Sequence, residues 1–190
     1  NDVQFYEKYR NEQYNYVKNV VIPGLDENNI QHESHNFKVI SAPVKSGKKD
    51  FVIISRILEK DKVHVFISGL HRKADKVQRN EYEQYNIAVF SLSNKGIAHD
   101  CVEYIKSQLS NGKEVIVHLD ELDYGCGKSQ CLSVVLKAKY DDGGRVKYRL
   151  YSATPEVAQK EFLTLKNNDD CVLLRKFKPH STYFGIKRYL

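Results

Sequence analysis

Residues 116–130 read IVHLDELDYGCGKSQ. An apolar run closes on Asp120 and Glu121, and Gly127-Lys128-Ser129 then repeats the ending of a phosphate-binding loop. The two features compete for one meaning. In such a loop the phosphate-binding turn follows its strand directly. Here two acids hold that place, and they repel phosphate unless a metal intervenes. Leu122 also stands where the pattern wants glycine. Acids at the end of a buried strand are instead what a Mg²⁺-dependent nucleotide hydrolase needs, one holding the metal through water and the other polarising the attacking water. GCGKSQ is therefore read as a turn and a helix start beside a site.

The phosphate loop is sought upstream, in VISAPVKSGKKDFVII (39–54). An apolar strand runs into Ala42-Pro43-Val44-Lys45-Ser46-Gly47-Lys48-Lys49 and then into a helical pattern. Strand, glycine-containing loop and helix N-terminus is the order that aims backbone N–H groups and the helix dipole at phosphate. Lys48 is placed to reach the β- and γ-phosphates. The strict pattern wants Gly at 42, where Ala stands, and Ser or Thr at 49, where Lys stands. The missing hydroxyl is the one that coordinates Mg²⁺.

Working outward, six short runs rich in Val and Ile read as strands: FKVISAP (37–43), KVHVFIS (62–68), YNIAVFSL (85–92), EVIVHLD (114–120), VKYRLYSAT (146–154) and CVLLRKF (171–177). They are mostly continuous rather than alternating, as strands covered on both faces are. Helical stretches lie between them. In 48–60 Phe51, Ile54 and Leu58 give one apolar face, and 96–112 repeats the pattern and stops at Asn111-Gly112. The alternation predicts an α/β domain in three layers around a mainly parallel sheet, with its ligand site at the carboxyl ends of the strands.

Composition is compatible with this. The chain has 190 residues, 41% hydrophobic and 28% charged, enough to bury one core. Its net charge of +6 permits a nucleic-acid partner without demanding one. Cys101, Cys126, Cys131 and Cys171 form no Cys-x-x-Cys pair and have no ligand-spaced His, so they read as reduced thiols of an intracellular protein. No apolar run is long enough to span a bilayer, and NDVQFYEKYR lacks the core of a signal peptide. The absence of any Met predicts a piece of a longer product.

ISAPVKSGKKDF, VIVHLDELD and RLYSATPE, in that order, resemble the nucleotide loop, Asp-Glu-x-x box and Ser-Ala-Thr motif of superfamily 2 helicases and translocases. The resemblance covers nearly the whole chain as one N-terminal RecA-like lobe. It implies an N-terminal helical region over 1–36, an ATP-binding lobe over 37–177, and over 178–190 a connector toward a second lobe. It implies ATP and Mg²⁺ as cofactors and DNA or RNA as partner. Lys48 matches the phosphate-binding lysine, Asp120 the Mg²⁺-associated acid, Glu121 the water-activating acid, and Asp123 the last box position. Ser152, Ala153 and Thr154 match the segment that couples hydrolysis to lobe movement. Gln13 matches the adenine-reading glutamine, with Gln4 and Gln31 nearby. Ser68, Gly69, His71, Arg72 and Lys73, and the loop after Asn94, fall where members touch nucleic acid. Lys45 stands where members often carry Gly. Lys49 either takes over part of the metal's charge or marks weak or lost hydrolysis. A degenerate scaffold or binding module and the ATPase part of a restriction or packaging nuclease are the alternatives. His118 is read as a packed, hydrogen-bonded histidine.

Overall fold

The computed structural model describes residues 4–5, 10–26, 37–41, 48–68, 73–92, 94–120, 128–140, 145–152, 156, 160 and 172–175. The N-terminal helices are α1 (Asn11–Tyr16), a π-helical turn (Val17–Val21) and α2 (Ile22–Asp26). Pro23 has no N–H to give, and its ring crowds the carbonyl four residues back. That carbonyl, of Asn19, lies in the π turn, whose wider bore accommodates the crowding. Next come β1 (Phe37–Ser41), α3 (Lys48–Leu58), β2 (Val63–Ser68), α4 (Lys73–Gln84), β3 (Ala88–Ser91) and α5 (Lys95–Ser110). The last elements are β4 (Val115–Asp120), α6 (Lys128–Lys137), β5 (Val146–Ser152) and β6 (Val172–Arg175).

The strands form one six-stranded sheet in the order β3-β2-β4-β5-β1-β6. Every neighbouring pair is parallel. From β1 to β3 the chain steps toward one edge, and from β3 to β5 it steps back. Right-handed crossovers then put the two sets of helices on opposite faces. The packing agrees. Val52, Ile53 and Ile54 of α3 and Tyr82 of α4 share one core with Ile40, Phe66 and Tyr151. Cys101, Val102 and Ile105 of α5 and Leu132 and Val135 of α6 share another with Val65, Val117, Leu119 and Leu150. This is the expected three-layer α/β architecture. Among the described residues no helix is long and apolar enough to cross a membrane.

Two elements depart from the sequence reading. α3 is buried on more than one face, because Tyr14, Val17, Val21 and Leu25 of the N-terminal helices cover the side turned from the sheet. That is why consecutive Val52, Ile53, Ile54 and Ser55 are all buried. The second is α4, read as a loop after β2. Its sequence KADKVQRNEYEQ is nearly all polar, Val77 is 70% exposed, and Tyr82 supplies its buried contact. The segment after Asn94 is likewise helix rather than loop: the Asn94 side chain accepts the Ile97 N–H at 3.0 Å and caps α5. α5 ends in a Schellman turn, with Lys113 N–H donating to the Gln108 carbonyl, Gly112 N–H to that of Leu109, and Gly112 at φ +75°.

Candidate functional site

Because all strands run one way, their carboxyl ends share one rim: Ser41, Ser68, Ser91, Asp120, Ser152 and Arg175. In register, Ser41 lies opposite Ser152, and Asp120 opposite Tyr151. β5 is the strand between β1 and β4, so the ends of β1 and β4 stand about 10 Å apart, two strand spacings. The turn after Ile40 and the acid closing β4 are therefore brought together on one side of the sheet. β2 and β4 are neighbours whose outgoing connections run in opposite directions, one to the β3 edge and the other to β5. Such divergence opens a crevice at the strand ends, here between Ser68 and Asp120.

Lys48 is the first residue of α3, at the end that carries the free N–H groups. Asp120 is the last residue of β4 and half-buried. Strand alternation puts it on the α3 and α4 face with His118 and Ile116. Tyr82 of α4 lies beside it, its ring 4.6 Å from that of Phe66. Burial, and then the Asp120 charge, push the Tyr82 hydroxyl well above its usual range. Ser152 and Ser68 are buried. Lys49, in the place of the metal-binding hydroxyl, pairs with Glu81 of α4 at 3.0 Å. Gln13 is buried in α1, one turn after Arg10, which stands 4.0 Å from Asp50 in the first turn of α3. The N-terminal helix thus flanks the start of α3. Lys73 begins α4. Residues 42–47, Glu121, Asp123, Ala153, Thr154, Gly69, His71, Arg72, Gln31 and the 178–190 connector lie outside the described residues.

Mg²⁺ bound with a nucleotide takes one or two carboxylates and completes its shell with phosphate and water. A single strand-end carboxylate, Asp120, meets that requirement. Among the described residues no group of three metal-ligating side chains occurs, so an all-protein cage is not formed there.

Behind the rim lies a buried polar system that the motif reading did not include. Arg149 of β5 donates to both Glu59 oxygens, at 2.7 and 2.9 Å, with both side chains buried. Lys62 stands 3.4 Å from Glu59 and 3.8 Å from Glu114, and Lys147 stands 2.9 Å from Glu114, which carries the charge alternation out to the opposite rim. Burial pushes the Glu59 carboxyl up, but Arg149 and Lys62 outweigh it and hold it below its ordinary value. Beside this pair, His64 of β2, His118 of β4 and Tyr151 of β5 form a row. His64 Nδ1 and His118 Nε2 are 2.9 Å apart, and His118 Nδ1 and the Tyr151 hydroxyl 2.8 Å. His64 Nε2 lies 3.0 Å from the Glu59 carbonyl. Burial drives His64 down to about 4, and His118 well below its ordinary value, the latter helped by His64 and Arg149. His118 is thus a packed, hydrogen-bonded histidine, as read. The signal for the rest was present: His64, His118, Arg149 and Tyr151 sit at alternate positions of otherwise apolar strands, all on one face.

The chain matches no protein-family model and no curated protein sequence.

Proposed function

We propose that this chain is the ATP-binding motor lobe of a nucleic-acid helicase or translocase, working with a second lobe. The observation that carries the reading is the strand order: the strand leading to Lys48 and the strand ending in Asp120 are separated by β5 alone and end on one rim. On this reading the α3 N-terminus and Lys48 receive the phosphates. Asp120 holds the metal, which when bound neutralises phosphate charge. Glu121 orients the attacking water. Gln13, packed beside the start of α3, is placed at the same end of the lobe. DNA or RNA is the proposed partner along the loops that follow β2.

One observation favours the second reading, a nucleotide-free scaffold: Lys49 is engaged by Glu81 and supplies no hydroxyl. Titration with a fluorescent ATP analogue, with and without Mg²⁺, separates the two. The motor reading expects metal-dependent saturable binding that Lys48→Ala abolishes and Lys49→Thr strengthens. Absence of saturable binding in both the parent chain and Lys49→Thr sinks it.

A further inference from the structure

The row behind the rim has one feature that decides what it can do. A carbonyl only accepts, so the Glu59 carbonyl requires a proton on His64 Nε2. Neutral His64 then accepts at Nδ1, which requires a proton on His118 Nε2. His118 in turn accepts at Nδ1, so the Tyr151 hydroxyl donates to it. The Tyr151 oxygen is left to accept from Ser55 and Arg149, both hydrogen-bonded to it. Every proton is placed by its neighbour, starting from one backbone carbonyl. The row cannot conduct protons end to end, because the carbonyl has none to pass on.

From this we infer that the Glu59 carbonyl–His64–His118–Tyr151 row is a proton-released latch that locks the rim end of β5 to α3 in its neutral form alone. The row joins α3 through Ser55 and Glu59, β2 through His64, β4 through His118, and β5 through Tyr151. It stops at the residue opposite Asp120 and directly before Ser152. One added proton has no free lone pair to occupy. Placed on His118 Nδ1, it turns that atom from acceptor to donor, and the Tyr151 proton must swing toward Ser55, because Arg149 can only donate. The new imidazolium sits fully buried. The charged groups facing the two rings are Arg56 and Glu59 from α3 and Arg149 from β5. Glu59 alone opposes the cationic charge, and Arg149 already holds both its oxygens. Tyr82 of α4 faces Tyr151 and is neutral. On the remaining side Phe51 closes the row, its ring 5.9 Å from that of Tyr151. Protonation therefore costs the bond that fixes Tyr151. Ligand binding at this rim is a separate proposal, and the latch is tested without it.

The test is NMR of the ¹⁵N-histidine-labelled chain, following ring nitrogens and backbone amides from pH 7.5 downward. Both rings are expected as neutral Nε2–H tautomers that remain neutral at pH 5.5. When the first ring protonates, the amides of Asp120, Tyr151 and Ser152 should shift with the same midpoint, while those of Cys101 and Ile105 on the opposite face stay still. Ser55→Ala, which removes the acceptor for the displaced Tyr151 proton, should move that midpoint to lower pH. In Tyr151→Phe the rim amides should no longer follow the rings. An Nδ1–H tautomer on either ring overturns the latch. So do a midpoint near that of free histidine, protonation that leaves the rim amides unmoved, or whole-chain unfolding with no protonated native form. Nucleotide binding enters none of these readouts, so failure of the motor reading leaves them intact.

Discussion

At the scale of single residues, the Glu59–Arg149 pair shows how a buried charge is tolerated. Two short parallel hydrogen bonds satisfy the fork of the guanidinium, and Lys62 covers one carboxylate oxygen. The pair is expensive to break rather than valuable to have, because removing one partner strands the other in a low-dielectric interior. Glu59→Gln should lower unfolding free energy in urea by about 3–5 kcal/mol. Glu59→Leu with Arg149→Leu should recover most of that loss, less the hydrogen bond Arg149 gives Tyr151. Lys49 is the contrasting case. Its pair with Glu81 is 44% and 34% exposed, so replacing it should change stability by less than about 1 kcal/mol. The position is free to be judged by nucleotide binding alone.

At the scale of elements, legibility followed burial. β2, β4 and β5 are covered on both faces, and their unbroken apolar runs gave them away in sequence. α5 announced its start at Asn94 and its stop at Asn111-Gly112. Asn94→Ala should cost about 1 kcal/mol by orphaning the Ile97 N–H. Gly112→Ala should cost a similar ~1 kcal/mol by forcing an L side chain to φ +75°. Thermal melts of the two single variants and of the double should show additive losses, since each cap acts at its own end of the helix. α4 was illegible for the complementary reason: it packs through Tyr82 and little else, so no 3.6-residue stripe marks it. For the site, motif spacing found Lys48 and Asp120, since loop and acid motifs are contiguous in sequence. It missed Tyr82 beside Asp120 and Glu81 beside Lys49, because both partners come from α4. The Ser55–Glu59–His64–His118–Arg149–Tyr151 system escaped for another reason. Each member is a lone polar residue in its own segment, and only the register of β2, β4 and β5 assembles them.

At the scale of the whole molecule, the neutral histidines tie stability to pH. His64 titrates near 6.5 when unfolded and about 4 when folded. Below pH 6.5 the unfolded chain therefore binds more protons than the native one, and stability falls with falling pH until the folded value is passed. For His64 alone the loss across that window is about 3 kcal/mol, and His118 adds in the same direction. Glu59, lowered in the fold, extends the decline as pH passes below the ordinary carboxylate range. Urea midpoints should accordingly be flat above pH 7 and drop steadily from pH 6.5 to 4. His118→Gln should flatten that slope even if it lowers the plateau. The seating of Tyr14, Val17, Val21 and Leu25 against α3 also governs how the gene can be cut. A shortened product starting at residue 37 keeps every strand yet strips the cover from Val52 and Ile53, forfeiting roughly 2 kcal/mol for each aliphatic side chain deleted. Such a product should accumulate in inclusion bodies, whereas one starting at residue 10 should stay in the supernatant after lysis.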